Sequence, residues 1–294
     1  MSKKLFSKVF ILLLVVGLLF AAAPKQAMAQ GPTTLNVAQW STTVPVGVNG
    51  RPTVLLDGAN YHLWYGPDDT TLYHSVSTDP AAFPAGSLVT FSGRTPFEVA
   101  STAIFIEGTT FYMVAYGPTN QTFDLYSSPD GAAWTFVNQV FDATSMSNLS
   151  KIDAPFVFKD GGTFKLYFQK KKATPLTYDL FLATSATVDG TYTLANGGLP
   201  VLSPTAAAWD GVDVMHPWVV KDGTTYYMWY SGYGGAGNPQ RIGFATSPDG
   251  INWTKSPANP IIGPVGEPSV IKNGATWQMW YLGDGSAVQY VSAT

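Results

Sequence analysis

The chain has 294 residues, a formal net charge of −3 and no cysteine, and its charged residues make up 12% of the total, about half the usual ~25% share. Scarce, scattered cations exclude the extended basic face that nucleic acid requires, and the lack of cysteine excludes a disulfide framework. Aromatic residues at 14%, with 29 glycines and 21 prolines, favour strands and tight turns over helices, so the fold class is all-β.

In chain order, residues 1–29 read as a signal peptide. Lys3, Lys4 and Lys8 precede the apolar run VFILLLVVGLLFAAA (9–23), and Ala27-Met28-Ala29 offers a cleavage site before Gln30. The run is shorter than the ~20 residues of a spanning helix and ends at Pro24-Lys25. The expectation is an exported protein with no stable membrane insertion after cleavage, whose mature domain is residues 30–294.

TLNVAQW (34–40) then reads as a strand with no neighbour to pair with. Five segments after it repeat one pattern: an apolar strand, a turn glycine after an acid or Asn, and an aromatic strand. They are RPTVLLDGANYHLWYG (51–66), TAIFIEGTTFYMVAYG (102–117), APFVFKDGGTFKLYFQ (154–169), HPWVVKDGTTYYMWYSG (216–232) and EPSVIKNGATWQMWYLG (267–283). The turn glycines Gly58, Gly108, Gly161, Gly223 and Gly274 recur every ~50–60 residues, the length of a four-stranded propeller blade. A third strand follows in each unit, and two of these end in SPDGxxW (128–134 and 247–253), a turn similar to the sialidase Asp-box but one residue shorter. Its Ser and Asp can hydrogen-bond the turn backbone, a structural role.

The fifth unit ends after its third strand, and residues 34–40 can supply the missing outer one. Such pairing closes the ring and removes its open edges. The expected architecture is a five-bladed β-propeller of four-stranded antiparallel blades, closed by an N-terminal strand.

The innermost strands of a propeller line its central channel, so their first residues gather at one mouth. Those starts read NGRP (Arg51), VAST (99–102), IDAP (Asp153), DVMHP (Asp213, His216) and GEP (Glu267). Carboxylates brought together near an axis, in a chain poor in charge, point to a reactive site. Paired carboxylates across a funnel suit glycosidic bond cleavage, one protonating the leaving oxygen while the other activates water or attacks the sugar. Trp218, near the start of its strand, and Tyr233, in the glycine-rich YSGYGGAGN loop (230–238), are the aromatic side chains best placed to meet a sugar.

The five-unit pattern, with IDAPFVFKDG, MHPWVVKDGTTYYMWYSG, IGFATSPDGINW and GEPSVIKNG, resembles the five-bladed glycoside hydrolases of the arabinanase, levansucrase and invertase superfamily, families 43 and 32 among them. The resemblance covers essentially all of residues 30–294. It implies a carbohydrate partner and an activity on arabinose-, xylose-, fructose- or galactose-containing glycans. Glu267 in GEP resembles the general acid of these enzymes, and Asp153 in IDAP resembles an axial Asp. Asp213 or His216 is then a third polar group that orients the sugar or tunes the acid, and His216 can itself act as the acid. The Asp expected in the first blade, just before Pro52, is Arg51 here. Either Asp153 takes over as base, or the chain is a carbohydrate-binding propeller without catalysis. No cofactor is expected; some relatives hold an axial Ca²⁺ through a histidine, and a single histidine does not assign such a site here.

Overall fold

The computed structural model describes residues 40–294. The leader (1–29) and residues 34–39 of the expected closing strand lie outside the described residues.

Strand β1 (Val44–Asn49) comes first and belongs to the last blade. Blade 1 follows as β2 (Arg51–Asp57), β3 (Asn60–Gly66), β4 (Tyr73–Ser77) and β5 (Ser87–Leu88). Blade 2 holds β6 (Thr90–Ser92), β7 (Ala103–Glu107), β8 (Thr110–Tyr116), β9 (Thr122–Ser128) and β10 (Ala133–Asp142). Blade 3 is β11 (Leu149–Asp160), β12 (Thr163–Lys172), β13 (Tyr178–Ser185) and β14 (Thr193–Leu194). Blade 4 is β15 (Asp213–Asp222), β16 (Thr225–Tyr233), β17 (Arg241–Ser247) and β18 (Thr254–Lys255). Blade 5 is β19 (Gly266–Asn273), β20 (Thr276–Leu282) and β21 (Ala287–Ala293), with β1 as its outer strand. The innermost strands touch one another in sequence, β2 to β7 to β11 to β15 to β19, and β19 returns to β2. The ring is therefore a closed five-bladed propeller, as the repeats imply.

Each blade's first hairpin turns on its expected glycine. Gly58, Gly108, Gly161, Gly223 and Gly274 all have φ between 59° and 65° and occupy the first of two loop positions, the place where a type II′ turn requires a positive φ. The second strand of every blade is covered on both faces, which explains its nearly continuous apolar sequence; Trp64, Met113, Leu166, Trp229 and Trp280 are all fully buried.

Blades are latched to one another through register-equivalent aromatics. Trp64 Nε1 donates to Gly131 O of blade 2 (2.7 Å), Tyr167 OH to Gly250 O of blade 4 (2.6 Å), and Trp280 Nε1 to Pro80 O of blade 1 (2.8 Å). The two SPDG turns present the first two of these acceptors. Inside them, Ser128 and Ser247 Oγ accept the glycine N–H (2.9 Å each), and Asp130 and Asp249 Oδ1 accept the next two backbone N–H groups.

Two details differ from the sequence expectation. The outer strand of blade 5 is Val44–Asn49 rather than residues 34–40, with Val44 opposite Tyr290 and Asn49 opposite Ala287. Trp40 and Ser41 lead into it, and Ser41 N donates to Ser292 O (2.7 Å). Blade 2 carries a fifth strand, because β6, leaving blade 1, lies parallel against β10.

Candidate active site at the axial mouth

The innermost strands of blades 3, 4 and 5 open with the same distortion. Ala154 (φ 43°), His216 (φ 48°) and Glu267 (φ 58°) each precede a proline and sit where the pairing with the second strand slips. Positive φ is costly for a side-chain-bearing residue, and more so before proline, so each position is held by its surroundings. The N–H freed at each bulge finds a side chain from the second strand of the preceding blade. Ala154 N donates to Tyr116 OH (3.3 Å) as well as to Asp153 Oδ1 (2.8 Å), His216 N to Gln169 Oε1 (2.8 Å), and Glu267 N to Ser231 Oγ (2.8 Å).

This shared geometry defines the rim. Ala154, His216 and Glu267 are equivalent, and Arg51, before Pro52, fills the same place in blade 1. With Ser101 and Thr102 of blade 2 they line a cavity of about 370 Å³, counted to its open mouth. Trp218 forms part of its floor; its ring packs on Phe156 (centroids 4.8 Å apart) and its Nε1 is committed to Val270 O (2.6 Å). Below that floor the channel widens to about 1390 Å³ by the same measure, but its walls are apolar. Its charged residues there are tied up between blades, as in Lys221 Nζ to Asp160 Oδ1 (2.5 Å) and Lys272 to Asp222. Reactive groups concentrate at the upper mouth.

Glu267 is the one carboxylate among the residues that line the upper cavity. Its Oε1 lies 3.3 Å from Arg51 Nε and 3.8 Å from His216 Nε2, and Arg51 Nη1 also binds Asp69 Oδ1 (2.8 Å). Burial pushes the Glu267 carboxyl up to about 7; Arg51 opposes this rise and the charge of Asp153 adds to it. His216 is pushed down to about 3 by burial, then by the Arg51 and Lys151 charges, so it is neutral. Gln240 Nε2 stands 3.4 Å from His216 Nδ1, which favours the tautomer with Nε2–H facing Glu267.

Asp153 sits one residue outside the equivalent position, which is Ala154. Its carboxylate is buried behind the rim, with Oδ2 2.6 Å from Lys151 Nζ. Burial also pushes it up to about 7; the neighbouring Glu98 adds to the shift, and the Ala154 N–H, Gln169 and Arg51 oppose it. Asp213 Oδ1 accepts the Tyr178 N–H (2.9 Å) and joins blade 4 to blade 3, and Tyr233 pairs with Asp213 in register. The structure thus brings Glu267, His216, Arg51 and Trp218 to the cavity and leaves Asp153, Asp213 and Tyr233 outside its lining. Asp69, Glu98, Lys151, Gln169, Ser231 and Gln240 complete the surroundings, and none was legible in the blade-start motifs.

The fit to an axial cation is poor. Among the described residues no three His, Cys, Asp or Glu side chains stand together as metal ligands, and His216 meets Glu267 on one side and an amide on the other.

No protein-family model matches the chain. Two proteins of Mycobacterium tuberculosis described as uncharacterized, MT1551 and Rv1502, are 30% identical to it over 96 residues, which is 29% of this chain and 32% of theirs. The matched stretch thus spans about a third of the length of those relatives. Solved structures match far more of the chain. A thermostable family-43 glycoside hydrolase superposes with a TM-score of 0.67 at 20% identity, over 84% of this chain and 89% of its own. The endo-arabinase of Bacteroides thetaiotaomicron gives 0.65 at 16% identity (86% and 97%), and the GH62 α-L-arabinofuranosidase catalytic domain of Coprinopsis cinerea gives 0.63 at 13% (87% and 97%). The chain shares the five-bladed propeller fold of family-43 glycoside hydrolases and related enzymes.

Proposed function

We propose that the protein is an exported enzyme that cleaves glycosidic bonds at the upper mouth, with Glu267 protonating the leaving oxygen. The observation that carries this reading is a single cavity carboxyl held near 7 by burial, which keeps a proton available at neutral pH. Asp153 supports it from behind the rim, since its negative charge helps keep Glu267 protonated. His216, neutral and paired with Gln240, orients the acid or a sugar hydroxyl. The lysine-led apolar leader supports export, and of the arabinose-, xylose-, fructose- and galactose-containing plant or microbial glycans, the arabinose-directed enzymes among the structural neighbours support the first as substrate.

Incubating the mature chain with arabino-, xylo-, fructo- and galacto-oligosaccharides tests the proposal. Product is expected, and Glu267→Gln should lower the rate roughly 10²–10⁴-fold. An unchanged rate removes Glu267 from the chemistry. A second reading, a carbohydrate-binding propeller without turnover, is favoured by Arg51 standing where the first-blade carboxylate is expected and by Asp153 lying outside the cavity lining. Sugar binding with no product from any substrate would establish it.

A further inference from the structure

The bulges that open blades 3, 4 and 5 each match an acceptor in the blade before. When the blades are aligned through the register of their first hairpins, Gly66, Tyr116, Gln169, Ser231 and Leu282 fall at one position of the five second strands. Tyr116, Gln169 and Ser231 offer a side-chain oxygen there, and each precedes a blade whose rim residue has positive φ. Gly66 and Leu282 offer none. The rim residues of the blades that follow them, Ser101 and Arg51, have negative φ, and Arg51 pairs with Gly66 without a slip. Acceptor and bulge therefore occur together at three joints and are absent together at two.

Of the three acceptors, Ser231 bears on the acid. It is fully buried, and its Oγ accepts the Glu267 N–H at 2.8 Å. Glu267 has φ 58° and precedes Pro268, a combination that a side-chain-bearing residue adopts only under constraint. A bulge re-aims the side chain it carries. Here it turns Glu267 into the axial cavity, where Oε1 stands 3.3 Å from Arg51 Nε and 3.8 Å from His216 Nε2. Resting on the glycoside-cleaving reading above, we infer that Ser231 is a positioning residue for Glu267: its hydroxyl holds the bulge that keeps the acid aimed at the axis. Without that oxygen the Glu267 N–H loses its partner, and nothing offsets the strain of the bulge. The backbone then relaxes to negative φ and the carboxyl swings out of the cavity. Ser231 lies outside the cavity lining and is closed to solvent, so it meets no substrate and acts on kcat through Glu267.

The chain contains three glutamates, Glu98, Glu107 and Glu267. Isotopic labelling of glutamate carbons therefore lets the Glu267 carboxyl be titrated by NMR in the whole mature chain, with Glu267→Gln assigning its signal. Ser231→Ala is expected to lower the midpoint of that carboxyl by at least about one pH unit, because leaving the buried site removes the main cause of its rise to about 7. In the cleavage assay kcat should fall on the order of 10²-fold with KM unchanged. Ser269→Ala is the matched control. Ser269 is equally buried and its Oγ accepts the Val54 N–H across a blade seam (2.9 Å), but it supports no bulge, so the Glu267 midpoint should stay where it is. If Ser231→Ala loses its cooperative melting transition, Ser231→Cys, whose sulfur accepts only weakly, replaces it. A midpoint unmoved in a folded Ser231 variant overturns the inference, and so does an equal movement in Ser269→Ala, which marks general loosening. A parent chain that cleaves no glycoside removes the glycoside-cleaving reading, and the carboxyl titration then decides the positioning role by itself.

Discussion

Glu267 and Asp153 share a raised pKa but stand in different company. Glu267 faces the cavity against Arg51 and His216, whereas Asp153 is enclosed behind Ala154 with Lys151. A carboxyl whose folded pKa lies above its unfolded value keeps its full stabilising contribution below the unfolded pKa, and that contribution falls away as pH rises through the folded one. For Asp153 the window runs from about 4 to about 7. Asp153→Asn should therefore gain melting temperature relative to the parent between pH 4 and pH 7, with a constant difference outside that range. A thermal-melt series across pH reads this directly, and a flat difference would show that Asp153 is ionised throughout. At this scale the sequence was partly legible. Glu267 and His216 were found from their place before proline. Asp153 was aligned with Glu267 through the similar letters IDAP and GEP, but the bulge counts from the proline and pairs Glu267 with Ala154. Gln240 and Gln169 left no signal, because their importance lies in which neighbouring blade's backbone or ring they reach.

The blades were the most legible elements, since a repeated hairpin with a fixed glycine needs only local chemistry to be recognised. What joins them was less so. In blades 3, 4 and 5 the lysine two places before the turn glycine (Lys159, Lys221, Lys272) pairs with the acid before the glycine of the preceding blade (Glu107, Asp160, Asp222). Blades 1 and 2 have Leu56 and Ile106 in the lysine position, so the seam lacks this stitch at those two joints. The turn glycines also separate into two kinds. Gly108 (φ 65°) projects into open space, whereas a Cβ on Gly131 (φ 76°) would lie 2.6 Å from Cζ2 of the fully buried Trp64 in the preceding blade. Gly108→Ala should cost about 1 kcal/mol, the backbone penalty alone. Gly131→Ala should cost about 2 kcal/mol more, because the indole has nowhere to move. Chemical denaturation of the two variants compares them, and equal losses would mean that the blade 1–blade 2 seam yields easily.

Over the whole molecule, closure depends on β1 completing blade 5. The need for a closing N-terminal strand was legible, but its position was not. VPVGVN carries Pro45 and Gly47, which weaken a strand pattern; an outermost strand tolerates proline, since one side of it has no ladder to maintain. Val46 and Val48 point into the core of blade 5 against Trp280 and Tyr290. Val46→Asp should destabilise the fold by about 3 kcal/mol or more and expose the edge of β21, so that light scattering rises as stability falls. Unchanged stability would mean that the ring holds without its clasp. The clasp also has the longest reach in sequence of the pairings that build the blades. Ser41 and Ser292, bonded to each other, are 251 residues apart in the chain, whereas each hairpin joins residues only a few positions apart. Hairpins and blades can form from local contacts, but the final pairing must bring together nearly the full length of the domain. Closing the ring is therefore the step of greatest sequence separation in the fold, and it falls on the free edge of β21.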